Sequence, residues 1–184
     1  MLPFFGKLVT LRRLSLADLE RFRAYRSDPE VGFYQGWSTK PQEDAVAFIE
    51  RMGSAKFPVE NQWFQLAIAD RVSDSLLGDM GVVVRNGGVL IAEVGVSLSR
   101  QAQGRGFATE AVQAMVELLF KHTETVQIEG ITDTRNSASN KLLQRAGMHW
   151  HQTIDATFRG EPCREHVYVI TRSEWLAKQP SSKC

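Results

Sequence analysis

Gln101-Ala102-Gln103-Gly104-Arg105-Gly106-Phe107-Ala108-Thr109-Glu110-Ala111 sets two glycines one residue apart at the threshold of an amphipathic segment. A loop without Cβ atoms turns its backbone N–H groups toward one point, and a following helix adds its positive N-terminal end there. That arrangement suits an anion. Ala108, Ala111, Val112, Met115 and Leu119 recur at helical spacing while Thr109, Glu110, Gln113 and Glu117 face the other way, which predicts a helix ending at Lys121 and His122. With the strand at residues 92–98 leading in, the unit would hold a diphosphate at the edge of a sheet. Two other phosphate loops are excluded. A nucleotide-hydrolase loop needs Gly-Lys-Ser/Thr where Arg105-Gly106-Phe107 stands. A dinucleotide loop wants a small residue where Thr109 sits, and a parallel strand before it rather than one arm of a hairpin.

A second element follows in Asn136-Ser137-Ala138-Ser139-Asn140-Lys141-Leu142-Leu143-Gln144-Arg145-Ala146-Gly147-Met148. Asn136 or Ser137 caps a short helix, Leu142 and Leu143 supply its apolar face, and Gly147 is a left-handed stop. Q-x-x-G-x-G/A with Phe-Ala-Thr-Glu-Ala, followed in order by N-x-x-S/A…L…x-x-G-F/M, resembles the acyl-coenzyme-A signature of the GNAT N-acetyltransferase superfamily. The branch containing ribosomal-protein N-terminal (alanine/serine) acetyltransferases is the most similar. It shares the opening Leu-Arg-Arg-Leu strand, Ser-Asp-Pro-Glu-Val after the first helix, Ala-Glu-Val-Gly-Val and Asn-x-x-Ser. The similarity runs over residues 8–175.

This resemblance implies an α/β (mixed α+β) GNAT fold: a mixed, mostly antiparallel sheet of about seven strands with helices on both faces. Its fourth and fifth strands pair at one end and splay at the other. The implied co-substrate is acetyl-coenzyme A. Its pantetheine arm would lie between those strands on backbone groups near Val96 and Leu98, and Asn136 would bond the pantetheine or its amide. The N–H groups of Gln103, Gly104, Arg105, Gly106 and Ala108 would hold the diphosphate, with the Arg105 side chain adding a contact.

An attacking amine must lose a proton, a modest task for an α-amine with a pKa of about 8 and a larger one for lysine at about 10.4. A weak base or a water chain serves the former. Glu93, on the splaying strand, is the first candidate, with a solvated or paired strand residue as its alternative reading; Asp155 is the second. Many superfamily members place a tyrosine general acid near position 143, where this chain has Leu143. Ser139 would then donate to the departing sulfur, with Tyr34 and Tyr168 as the other hydroxyls. Neither a Cys-His nor a Ser-His-Asp arrangement argues for a covalent intermediate, so direct attack in a ternary complex is expected. The missing tyrosine also motivates a different class, a coenzyme-binding regulator or scaffold whose catalysis has lapsed. The acceptor stays open among a protein N-terminus, a polyamine, an amino-sugar antibiotic and an amino-acid derivative, with residues 33–37 and 161–166 as the expected walls of its site. Oligomeric state is open as well, a homodimer being one option.

Composition narrows the partners. A net charge of +1 with scattered Lys and Arg offers no field for nucleic acid. No run approaches the apolar length of a membrane helix, and residues 1–6 are too short and uncharged for a signal peptide, so a cytoplasmic protein is expected. Cys163 and Cys184 are too few for a disulfide framework, and His122, His149, His151 and His166 lack ligand spacing, so no metal is expected.

The elements that must position these residues alternate without repeats or an internal linker. The pattern predicts a strand at residues 7–14, a helix from Ser15 to about Ser27 stopped by Asp28-Pro29-Glu30, and a second helix opened by Thr39-Lys40-Pro41-Gln42 and ending near Met52 and Gly53. Strands at 63–70, 75–85 and 89–99 form a meander, the last two joined by Asn86-Gly87-Gly88. Strand 126–132, the Ser139 helix, and strands 149–158 and 165–171 complete a single domain over residues 1–177. Residues 178–184 are expected to be a disordered tail.

Overall fold

The computed structural model describes residues 1–37 and 41–179. One eight-stranded sheet organises it, in the order β1-β2-β3-β4-β5-β6-β8-β7. The strands are β1 Phe4–Phe5, β2 Val9–Arg13, β3 Phe64–Asp70, β4 Leu76–Asn86, β5 Leu90–Leu98, β6 Thr125–Asp133, β7 His149–Phe158 and β8 Glu161–Thr171. The helices are α1 Leu19–Arg26, α2 Pro29–Gly32, α3 Gln42–Ser54, α4 Phe107–His122, α5 Ser137–Arg145 and α6 Arg172–Ala177. All pairings are antiparallel except β5–β6. The eighth strand is the two-residue β1, too short for a periodic signal, so the expected fourth and fifth strands are β5 and β6.

Register assigns the faces. Asp79 lies opposite Ser97 and Glu93 opposite Glu129, so odd-numbered residues of β4, β5 and β6 share one face. Arg26 of α1 pairs with Asp79 on that face, whereas a Cβ on Gly130 would collide with Leu143 of α5 on the even face. Helices therefore cover both faces. The core between sheet and α4 holds Val112, Met115, Leu119 and Ile128, all nearly or fully inaccessible. Arg172 fastens the far end of α4: its guanidinium donates to the carbonyls of Phe120, Thr123 and Thr125, satisfying acceptors that the helix end leaves open.

Several expectations are corrected at the edges. Asp28-Pro29-Glu30 does not simply stop α1; the Asp28 carboxylate accepts from the Glu30 N–H and Pro29 opens the one-turn α2. β8 begins at Glu161, four residues earlier than the pattern suggested: its first residues pair with β7 alone, so Pro162 costs no ladder bond on the β6 side. Lys178 is the C-cap residue of α6, and its Nζ donates to the Gly147 carbonyl at 3.3 Å. The proposed opening at Thr39 and Lys40, and residues 180–184, lie outside the described residues.

Candidate active site

The parallel ladder between β5 and β6 runs only from Leu90↔Thr125 to Glu93↔Glu129. Beyond it β6 stays paired with β8 through Asp133 and β5 stays paired with β4 through Leu98, so the two strands part while each remains held. A pocket occupies the gap. Val94, Gly95 and Val96 of β5 and Ile131, Thr132 and Asp133 of β6 form its sides. Val112, Asn136, Ser139, Leu142 and Leu143 close it from the α4–α5 side, and Tyr34, Gln35, Phe158 and Glu165 stand on the other. The wall of the pocket thus draws residues from elements on both faces of the sheet.

Below it, Gly104 (φ +73°) and Gly106 (φ +84°) both take the left-handed conformation that favours glycine. Gly106 is the N-cap of α4 and offers no side-chain cap. The first bond of the helix runs from Glu110 N to Gly106 O at 3.1 Å, leaving the N–H groups of Phe107, Ala108 and Thr109 without helical partners. A Cβ on Gly104 would meet nothing within 4 Å, so the loop borders open space. A diphosphate fits this cradle. Gln103 plays another part: its N–H donates to Arg100 O at 3.2 Å and its Nε2 to Leu98 O at 3.1 Å. It ties the loop to the end of β5, so its N–H is not among the free donors and the Leu98 carbonyl is already bonded. The Arg105 guanidinium lies 4.8 Å from the Phe107 ring centre.

At the head of α5, Asn136 Oδ1 accepts the Ser139 N–H at 3.1 Å. Asn136 is therefore both cap and pocket wall, and Ser139, whose hydroxyl has no bond among the described residues, is also part of the pocket lining. Of the other hydroxyls, Tyr168 is buried and bonded to Asn140 and Gln144 at 3.0 and 3.2 Å, while Tyr34 lines the pocket.

The carboxylates separate by partner. Glu93 bonds Arg85 at 2.7 Å and is not part of the pocket wall; Asp155 is 96% exposed, 3.7 Å from Arg164. Glu165 lines the pocket, and desolvation, then the charges of Asp133 and Glu93, raise its pKa above the ordinary glutamate value. Sequence reasoning placed Glu165 in the acceptor wall without giving it a role, since strand register decides which carboxylate meets the gap. No cluster of His, Cys, Asp and Glu suited to a metal ion occurs among the described residues, and no described helix is long and apolar enough to cross a membrane.

Known proteins share this architecture. The N-acetyltransferase p20 of Bacillus licheniformis, itself uncharacterized, is 29% identical over 147 residues, covering 78% of this chain and 80% of that one. A GNAT-family acetyltransferase from Bacillus anthracis superimposes with a TM-score of 0.81 at 21% identity, covering 93% of this chain and 99% of the other. Spermidine N-acetyltransferase from Vibrio cholerae, solved with CoA and spermine, gives a TM-score of 0.75 at 17% identity over 93% and 99% of the two chains. At those identities the structures show a shared fold. The profile of the acetyltransferase (GNAT) domain matches residues 9–149, a span from β2 to the start of β7 that contains the cradle, the parted strands and the α5 cap, and the chain accordingly belongs to the GNAT acetyltransferase family.

Proposed function

We propose that the protein acetylates a primary amine by direct attack on acetyl-coenzyme A, with Glu165 taking the amine proton and Ser139 donating to the departing sulfur. The observation that carries this reading is the pocket between the parted strands, lined by both Glu165 of β8 and Ser139 of α5. The glycine loop and the first turn of α4 would hold the diphosphate, the free edges of β5 and β6 would flank the pantetheine, and Asn136 would orient it. When bound, acetyl-coenzyme A supplies an activated acetyl thioester. Glu165, with its raised pKa, draws the proton as the amine attacks. Ser139 Oγ stabilises negative charge on sulfur as it develops, an interaction worth most in the transition state. Glu93 acts at one remove, its charge helping to keep the Glu165 pKa high.

A carboxylate base suits an α-amine better than a lysine side chain, whose deprotonation costs about 3 kcal/mol more at pKa values of about 8 and 10.4. An α-amine of a protein or small molecule is therefore the favoured acceptor. The test is turnover of acetyl-coenzyme A by purified protein with Ser- and Ala-starting peptides, amino-acid amides, an aminoglycoside and spermidine, reading both thiol release and acetylated product. Coenzyme binding without turnover of any amine would favour a non-catalytic, coenzyme-binding regulator instead.

A further inference from the structure

The acceptor side of the pocket is built from two segments far apart in sequence, and one side chain joins them. Phe158 and Glu161 close the β7–β8 hairpin, leaving Arg159 (φ +52°) and Gly160 (φ +84°) as its two-residue turn. Two consecutive left-handed residues make a turn that favours Asn-Gly or Gly-Gly, and arginine is out of place at the first position. Its side chain explains its presence. Nη2 of Arg159 donates to Gly32 O at 2.9 Å and Gln35 O at 3.3 Å, and the guanidinium lies 5.1 Å from the Phe158 ring centre. The loop so held carries Tyr34 and Gln35, and the hairpin carries Phe158, all three of which line the pocket. The loop has a second anchor at its far end, where the Trp37 ring lies 4.7 Å from the Arg26 guanidinium.

We infer that Arg159 is a positioning residue for the amine acceptor: it latches residues 32–35 to the β7–β8 hairpin, setting the distance between Tyr34 and Phe158 and hence the width of the acceptor entrance. The carbonyls that Arg159 bonds, those of Gly32 and Gln35, belong neither to the glycine loop nor to α5. This inference rests on the acetyl-transfer reading of the same pocket, but its first test does not.

Arg159→Asn keeps a residue that the turn favours, so folding should be undiminished and the thermal midpoint no lower than that of the parent. Hydrogen exchange at residues 33–36 should rise at least about tenfold while α4 is unchanged. With the tripeptide amide Ser-Ala-Gly as acceptor, the acceptor KM should rise at least about tenfold and the KM for acetyl-coenzyme A should stay within about twofold. Arg159→Lys, which can still reach one carbonyl, should recover part of both effects. Unchanged exchange in Arg159→Asn overturns the latch, and equal movement of both KM values, or of neither, overturns its link to the acceptor. A parent inactive on every amine tried defeats the acetyl-transfer reading, and the acceptor role of Arg159 with it, while the exchange result still decides whether the latch exists.

Discussion

Asp133 and Glu165 lie directly opposite each other in the β6–β8 ladder, and of the two it is Asp133 that pairs with an arginine, Arg135. Its carboxylate accepts from the backbone N–H and guanidinium of Arg135 at 2.6 to 2.9 Å, which holds its pKa below the ordinary aspartate value. Asp133 therefore stays charged, and Glu165 meets that charge in a partly desolvated wall. Glu165→Gln should lower kcat/KM by about 10²- to 10⁴-fold with coenzyme affinity unchanged. The acid limb of the parent profile should lie above the ordinary glutamate pKa of about 4.3. Glu93→Gln should keep most activity and move that limb to lower pH, because a charge that raises Glu165 is gone. The converse pattern would assign the base to Glu93.

Ser139→Ala should lower kcat by about ten- to a thousand-fold with little change in KM for acetyl-coenzyme A, the range for one hydrogen-bond donor. Stability should hardly change, since the α5 cap uses the Ser139 backbone N–H, which alanine retains. Asn136→Ala, by contrast, should lose about 1 kcal/mol of stability. Normal kcat in a folded Ser139→Ala protein would pass the role to Tyr34.

The placement of Ser139 and of Glu165, as distinct from any role in the reaction, contrasts local with distant determinants. Ser139, Asn136 and the glycines were legible because a cap, a left-handed stop and a helix start are local signals, set within a few residues of chain. Glu165 was not singled out, because its isolation comes from distant partners: Arg135 is committed to Asp133 and Arg85 to Glu93. The same contrast holds in the fold. The β4–β5 hairpin was readable from Asn86-Gly87-Gly88, while β1 exists only through its pairing with Thr10 and Leu11.

Gly104→Ala should weaken coenzyme affinity at least about tenfold, or about 1.4 kcal/mol. The left-handed backbone at this position disfavours any Cβ, and the space that the Cβ would enter is the open side of the cradle. Arg105→Ala should have a milder effect. Coenzyme-induced thermal stabilisation of each variant measures both, and an undiminished shift in Gly104→Ala would remove the loop from the binding site.

Arg26 and Asp79 form a buried ion pair, to which Gln65 Nε2 adds a bond at 3.0 Å. Asp79 is fully inaccessible, and desolvation raises its pKa despite the nearby Arg26. Arg26→Met should cost about 3–5 kcal/mol at neutral pH by leaving a buried carboxylate without its cation. The folded form then binds a proton more readily than the unfolded form, so stability should recover as pH falls through the raised pKa toward the ordinary aspartate range and be lost as pH rises. Asp79→Asn should cost less. Urea unfolding at two pH values checks the sign.

Two antiparallel ladders, β1–β5 and β6–β8, share one short parallel seam, so the stiffness of the sheet across its middle depends on a few residue pairs and on α4 lying over them. On the proposed placement of the coenzyme, an extended arm laid in the opening would add rungs to that seam and tie the two ladders together. Acyl transfer would cut the thioester and leave the arm in place, so departure of the spent carrier would have to undo the same rungs.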